Sequence, residues 1–197
     1  MSSQTEKPKP KSRRREEQLY QPIKDFLGGV FGSYVEERPL MGAPYSYEEN
    51  PYLEITANRK VFSETLKKVF DDETFRILSV EKNAPDIMGF VQRKPSSKKE
   101  LITVEVKCTP IRLRDILQAR FYQDIFKSTF GLLISSKGIL EEKVRFVLDT
   151  DVGRNVIGGN VIIARFHENP YQKYGFLEIH PRFMNSVPDL FKKFCKP

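Results

Sequence analysis

Two short apolar runs of this sequence carry three charged side chains that a buried strand ordinarily excludes. Asp86 opens the run 86–93, and Glu105 and Lys107 interrupt the run 101–108. Ionised groups on apolar strands are costly unless a metal ion or an opposite charge compensates them. Strand alternation places Glu105 and Lys107 on one face, about 7 Å apart. The opposite face is then apolar and consists of Ile102, Val104, Val106 and Cys108.

The two runs are joined by residues 94–99, whose Lys, Pro and Ser content is typical of a turn. A hairpin turning near Ser96 brings Asp86 opposite Glu105, with about 5 Å between their Cβ atoms. Two carboxylates this close repel each other unless a cation lies between them. Oxygen ligands of this kind favour Mg²⁺ or Mn²⁺, and the backbone carbonyl of Val106 is a plausible third ligand. Lys107 would orient or deprotonate an attacking water, or stabilise charge on a phosphate.

Hydrophobic periodicity predicts an α/β protein with a mixed central β-sheet flanked by helices on both faces. The first helix begins near residue 15, with Leu19, Ile23, Phe26 and Val30 at helical spacing. Residues 36–57 are predicted to be a long loop or small insertion. The later elements are helices near 58–71, 112–128, 139–148 and 187–195 and strands near 75–80, 86–93, 101–108, 130–135, 161–166 and 175–180.

The predicted helix 112–128 has two faces. Arg114, Gln118 and Tyr122 recur at every fourth residue and form one polar stripe. The apolar face is predicted to consist of Leu113, Ile116, Leu117, Phe121 and Ile125.

Pro85-Asp86, followed after the turn by Glu105-Val106-Lys107, resembles the motif of the PD-(D/E)xK nuclease superfamily. The resemblance covers about residues 15–136. It implies a restriction-endonuclease-like core of the order α-β-β-β-α-β, with an insertion at about 32–73 and C-terminal additions at about 137–197. It also implies a metal-dependent DNA endonuclease whose active site lies where the second and third strands diverge.

Within that superfamily the pattern is nearest to archaeal-type Holliday junction resolvases. These carry a glutamate on the first helix, three residues before an apolar leucine, and here Glu16 stands three before Leu19. The resemblance therefore implies a catalytic role for Glu16, with Glu17 as the alternative. Many relatives also place a Gln and a Tyr on the helix after the lysine, which implies a catalytic Gln118 and a nucleic-acid contact at Tyr122. Branched DNA as substrate and a homodimer follow by analogy.

Other interpretations of the same residues stay open. An acidic-x-Lys tripeptide is common, and Glu141-Glu142-Lys143 also matches it in a polar helical stretch. Asp86 could cap a turn after Pro85, and Glu105 and Lys107 could form a pair on an exposed strand. The protein could accordingly be a non-catalytic nucleic-acid-binding protein, or a structural subunit that retains the fold.

The chain of 197 residues carries a net charge of +7 and has a pI near 9.3, which suits a polyanionic partner such as DNA. Residues 1–14 contain almost nothing apolar and are predicted to be a disordered basic tail, followed by a single domain over 15–197. The tail either grips phosphates or only aids solubility. The basic side chains expected at nucleic acid are Arg13, Arg14, Arg15, Arg112 and Arg114.

Neither Cys108 nor Cys195 belongs to a CxxC pair, so the cysteines do not indicate a zinc site or an iron–sulfur cluster. Cys108 is predicted to be a buried neutral thiol. The sequence has no run of about 18 apolar residues, the length of a membrane span. We therefore expect a soluble intracellular protein without membrane association, cytoplasmic and nucleoid-associated, or nuclear in a eukaryote.

Overall fold

Nine strands among the described residues form one mixed sheet, which is flanked by helices. The computed structural model describes residues 11–32, 35–36, 45–47, 51–57, 62–70, 74, 84–94, 97–139, 161–168, 175–179 and 195–196. The coarse prediction of a mixed α/β sheet protein is confirmed.

The helices are α1 (Lys11–Gly32), α2 (Glu64–Lys67) and α3 (Leu113–Ile125). The strands lie in the order β1-β2-β4-β5-β6-β7-β8-β9, and β3 pairs with β4 beside β2. Pairing is parallel between β5 and β6, β6 and β7, and β8 and β9, and antiparallel elsewhere. The strand bounds are β1 Val35–Glu36, β2 Tyr45–Tyr47, β3 Tyr52–Ile55, β4 Ile87–Lys94, β5 Lys98–Lys107, β6 Phe130–Ser135, β7 Val161–His167, β8 Phe176–Ile179 and β9 Cys195–Lys196.

Helix α1 covers one face of the sheet. Its buried side chains recur at helical spacing, and Phe26 and Phe31 make edge-to-face contacts with Phe166 and Phe130. The helix begins at Lys11 rather than near residue 15, so the last four residues of the predicted tail are helical. The buried residues of α1 are Tyr20, Ile23, Phe26, Leu27, Val30 and Phe31.

Strands β4 and β5 form the predicted hairpin. Their register runs from Ile87 opposite Val104 to Arg93 opposite Lys98, and the turn includes Ser97 at a φ of 42°. One further step along this register sets Asp86 opposite Glu105, as the turn composition predicts. The hairpin thus determines where the two carboxylates lie.

The segment 36–57, predicted to be a long loop or small insertion, is mostly strand in its described residues. Strands β2 and β3 pair with β4, and β1 pairs with β2, so all three extend the same sheet. Among the described residues of the predicted helix 58–71, only α2 is helical, and residues 62–63 and 68–70 are not. Strands β1, β2 and β3 have two to four residues each, which is too short for an alternating pattern to be recognised in the sequence.

Helix α3 lies on the opposite face of the sheet and packs by only part of the predicted apolar side. Ile116 is buried and Ile125 is partly buried, as predicted, whereas Leu113, Leu117 and Phe121 are 38%, 45% and 46% exposed. The helix instead packs through a mixed set of residues, because the sheet beneath it carries small and polar groups such as Thr103 and Gly131. The buried residues of α3 are Asp115, Ile116, Ala119, Tyr122 and Gln123.

The C-terminal predictions are confirmed in part. Strands β7 and β8 lie within one residue of the predicted 161–166 and 175–180, whereas Cys195, predicted to end a helix, belongs to β9. No helix among the described residues is long and apolar enough to cross a membrane. The predicted strand 75–80, helix 139–148 and the rest of helix 187–195 lie outside the described residues.

Candidate functional site

The candidate site lies at the end of the hairpin where β4 and β5 separate. Beyond Asp86 and Glu105, the register would join Pro85 to Val106, but a proline nitrogen has no hydrogen to donate. The carbonyl of Pro85 accepts the hydroxyl of Thr56 instead. Pairing therefore ends here, which explains the order Pro-Asp in physical terms.

The side chain of Asp86 occupies the gap left by this separation. Its Oδ2 accepts the backbone N–H of Val106 at 2.8 Å, which replaces the missing strand partner. The N–H and C=O of one strand residue point to the same side of the strand, so the Val106 carbonyl also faces the gap. The predicted backbone ligand thus points toward Asp86.

Glu105 is buried beside this gap with only half of its carboxylate satisfied. Oε1 accepts the Lys107 ammonium at 2.6 Å, while the buried Oε2 has no hydrogen-bond partner among the described residues. The Glu105 side chain is 5% exposed, and the Lys107 side chain is 15% exposed. The interpretation of these two residues as a pair on an exposed strand is therefore wrong.

Burial and mutual repulsion oppose ionisation of the two acids. Burial, and then the charge of Asp86, raises the pKa of Glu105 to about 8. Burial also raises the pKa of Asp86, although the Val106 N–H and the Lys107 charge act against this. Without a cation between them, the pair retains a proton at neutral pH.

Lys107 remains positively charged in this environment. Burial acts to lower its pKa, but the charge and hydrogen bond of Glu105, together with the charges of Asp86 and Glu16, raise the pKa above the ordinary value for lysine. Of the roles considered for it, charge stabilisation and orientation fit its surroundings.

Glu16 lies close enough to add its charge to the site. Its carboxylate contributes to raising the pKa values of Tyr20, Asp86 and Glu105. Burial and then Glu16 also raise the pKa of Cys108, a thiol that is half-buried rather than buried as predicted. The structure thus brings Glu16 to the other acidic residues, which favours it over Glu17.

Gln118 and Tyr122 extend the site along α3. The Gln118 amide donates to the Tyr122 hydroxyl at 3.2 Å. Burial raises the pKa of Tyr122, with a smaller contribution from the charge of Glu105. Tyr122 is 4% exposed and packs against Met88 and Phe126, so its ring has no face available for stacking on a base. The nucleic-acid contact that the resemblance implies for Tyr122 stays a prediction.

Only some of the arginines that are expected to contact nucleic acid have side chains among the described residues. Arg112 and Arg114 are exposed at the start of α3, and Arg114 is 77% exposed. Arg15 is exposed on α1. Arg13 and Arg14 belong to α1, but their side chains lie outside the described residues.

Tyr20 belongs to the site although the sequence reasoning missed it. Its hydroxyl donates to Asp86 Oδ1 at 3.0 Å, and burial together with the Asp86 charge raises its pKa far above the ordinary value. A signal was present in the sequence, since Tyr20 follows Glu16 by four residues and so shares its face of the helix.

The donor set matches a hard divalent cation with few protein ligands. No group of three His, Cys, Asp or Glu side chains among the described residues has the geometry of a metal site. Mg²⁺, however, commonly keeps several waters and binds only one or two carboxylates. Asp86, Glu105 and the Val106 carbonyl fit that pattern, and the unpartnered Oε2 of Glu105 is an acceptor that a cation would satisfy.

Searches against protein-family models, curated proteins and solved structures found no match for this chain. Its function must therefore be argued from the site itself.

Proposed function

We propose that this protein is a divalent-metal-dependent DNA endonuclease that hydrolyses phosphodiester bonds. The observation that carries the proposal is the buried Glu105 Oε2, which has no partner in the described part of the chain and lies in a carboxyl group whose pKa is raised by Asp86. A buried acceptor of this kind costs stability unless something satisfies it. A cation shared with Asp86 would do so and would also remove the repulsion between the two acids.

The order of elements supports a restriction-endonuclease-like core. Apart from β1, β2 and the four-residue helix α2, the elements up to β6 are helix α1, the antiparallel strands β3, β4 and β5, helix α3 and the parallel strand β6, which is the order α-β-β-β-α-β. In this assignment β3 is the first of the three strands; the predicted strand 75–80 lies outside the described residues. The candidate site lies at the separation of the second and third strands, where the resemblance places an active site.

The residues divide the chemistry among them. Asp86, Glu105 and the Val106 carbonyl would hold Mg²⁺ or Mn²⁺, which polarises the phosphate and lowers the pKa of a bound water. The Lys107 ammonium would stabilise the charge that develops on the phosphate. Gln118, held by Tyr122, would orient the attacking water, and Glu16 would add a carboxylate at the edge of the site.

The substrate would approach over α3 and the start of α1. The exposed Arg112 and Arg114 precede Gln118 on α3, and Arg15 precedes Glu16 on α1. These side chains can contact phosphates on either side of the scissile bond. Branched DNA cut by a homodimer is the more specific proposal, and it rests on the resemblance to junction resolvases.

A cleavage assay tests the proposal. Linear duplex, single-stranded and four-way DNA are incubated with the full chain and either Mg²⁺ or Mn²⁺. We expect cleavage that needs the metal, disappears in Asp86→Asn, and falls about 10²–10³-fold in Lys107→Met. Lys67→Met is the matched control, because Lys67 also lies 2.6 Å from a glutamate, but in an exposed pair with Glu64.

A second candidate function is a nucleic-acid-binding protein or structural subunit without catalysis. It is favoured by the finding that no third acidic, His or Cys side chain completes a metal group within the described ranges. The same assay separates the two functions. A wild-type chain that binds DNA tightly and cuts none of the three substrates with either metal would support this second candidate and exclude the first.

A further inference from the structure

Both oxygens of the Asp86 carboxylate are engaged by donors from different elements. Tyr20 on α1 donates to Oδ1 at 3.0 Å, and Val106 on β5 donates to Oδ2 at 2.8 Å. We propose that Tyr20 is a positioning residue, which holds the Asp86 carboxylate in the orientation that lets a divalent cation bridge it to Glu105. The inference rests on the proposed function, which it deepens by naming a residue that prepares the metal site.

The position of the Tyr20 hydroxyl is set by packing of its ring. The residue is 5% exposed and belongs to the core cluster formed by α1 and the strands beneath it. A ring held on two sides has few alternative rotamers. The hydroxyl is therefore presented to Asp86 by the fold and does not depend on a flexible side chain.

The direction of the hydrogen bond is also determined. The phenol of Tyr20 carries one hydrogen, which it donates to Asp86 Oδ1. An ionised carboxylate can only accept. Tyr20 is thus the donor whenever Asp86 is in the charged form that binds a cation.

Two donors, one on each oxygen, define the plane of the Asp86 carboxylate. Each oxygen has two acceptor sites, so both can still approach a cation after accepting one hydrogen bond. Without Tyr20, the Val106 N–H alone would hold one oxygen and leave the group free to rotate. Donors that orient a metal ligand in this way typically change metal affinity about 10–100-fold when they are removed.

The first experiment measures Mn²⁺ binding to the full chain by calorimetry. Tyr20→Phe keeps the ring and removes only the hydroxyl, and we expect a dissociation constant about tenfold higher than that of wild type. Tyr52→Phe is the matched control, because it removes a hydroxyl that donates to the Glu54 carboxylate at 2.7 Å on the same sheet. We expect its affinity to stay within about twofold of wild type. Equal affinity in Tyr20→Phe and wild type would overturn the proposal.

Cleavage kinetics separate positioning from a merely structural role. In Tyr20→Phe we expect the Mn²⁺ concentration for half-maximal cleavage to rise about tenfold, while the rate at saturating Mn²⁺ stays within about threefold of wild type. A fall in the saturating rate with no change in the Mn²⁺ requirement would contradict a positioning role.

Metal-free crystal structures distinguish failure of this inference from failure of the proposed function. If wild type binds no Mn²⁺, the proposed metal-dependent function fails, and Tyr20 is judged from geometry alone. In Tyr20→Phe we expect the Asp86 carboxylate to keep the hydrogen bond from the Val106 N–H to Oδ2 and to rotate about it, so that Oδ1 leaves its present position. In Tyr52→Phe we expect both oxygens to stay in place. An unmoved carboxylate in Tyr20→Phe would show that Tyr20 does not position it.

Discussion

Glu105 is the residue whose charge most depends on what occupies the site. One of its oxygens is ion-paired with Lys107, and the other has no partner among the residues described. Its neighbour Asp86 already accepts two hydrogen bonds. A proton or a cation must therefore compensate Glu105, and the choice between them depends on pH.

This charge state predicts how stability changes with pH in the absence of metal. Glu105 loses its proton near pH 4.3 when unfolded and near pH 8 when folded. Between these values the folded state binds more protons than the unfolded state, so the free energy of unfolding falls as pH rises from about 4.5 to about 8. Urea denaturation at several pH values should show this decline, and Glu105→Gln should reduce it.

Glu64→Gln is the control for that series, because Glu64 is an exposed partner of Lys67 outside the site. Its profile should decline as the wild-type profile does. A wild-type profile that rises over this pH interval, or a Glu105→Gln profile that falls as steeply as wild type, would contradict the assigned charge state.

The residues of the site differ in how far sequence could predict them. Asp86, Glu105 and Lys107 were predictable because a short turn fixes the register of a hairpin, and alternation then fixes the faces. Tyr20 and the burial of Tyr122 were not, because both depend on how a helix docks on the sheet. Periodicity locates a helical face but not its rotation against a particular partner.

Helix α3 illustrates the same limit for a whole element. The helix offers two apolar sets of residues at helical spacing. In the set that contains Leu113, Leu117 and Phe121, each residue is more than one third exposed. The docked set includes Ile116 and Ala119, which face a part of the sheet lined by small and polar residues. The sequence of the helix alone contains nothing that ranks one set over the other.

Because α3 buries Ile116 and exposes Leu117, we expect substitutions of these two adjacent residues to differ in their effect on stability. Ile116 is 1% exposed and Leu117 45% exposed. We expect Ile116→Ala to lower the free energy of unfolding by about 2–4 kcal/mol, since it removes buried methyl groups and leaves a cavity. Leu117→Ala should cost less than about 1 kcal/mol, because nearly half of its side chain already contacts water.

Chemical denaturation of the two α3 variants, with unchanged m-values, is the measurement. The predicted apolar face would give similar large losses for both residues. A loss at Leu117 as large as that at Ile116 would show that α3 docks by the face that the sequence pattern favours.

At the scale of the whole molecule, the sheet is wider than the sequence pattern predicts. Strands β1, β2 and β3 extend the sheet from segments of two to four residues. The partner of β2 and β3 is β4, which lies about 40 positions further along the chain. Because these segments are far apart in the sequence, a local pattern of apolar residues does not predict that they pair. The long strands β4, β5 and β6 were predictable because each carries enough apolar residues to show its own period.

Positive charge is concentrated at the start of the chain. Residues 6–15 carry six of the basic side chains and one acidic side chain, a net +5 of the chain's +7. Helix α1 begins within this segment, at Lys11, and leads directly to Glu16 and Tyr20. The backbone of residues 11–15 therefore belongs to the helix that carries Glu16 and Tyr20, and within it the side chain of Arg15 is described and exposed.

This arrangement predicts that Arg13, Arg14 and Arg15 bind phosphates near the site. Replacing all three by Gln in the full chain should weaken DNA binding and make it less sensitive to salt, because each lost phosphate contact reduces the slope of log K against log [salt] by about 0.9. We expect a reduction of about two to three in the slope, measured by fluorescence anisotropy between 50 and 200 mM salt.

The matched control removes the same charge from the far end of the hairpin, through Lys94, Lys98 and Lys99, all exposed beside the turn. The length of β4 places that turn about 23 Å from Asp86, so these lysines serve to measure the effect of net charge away from the candidate site. If the arginines grip phosphates, only their replacement should change the slope strongly. Equal changes in both variants would show that net charge alone attracts DNA, and no change in either would assign the arginines to solubility.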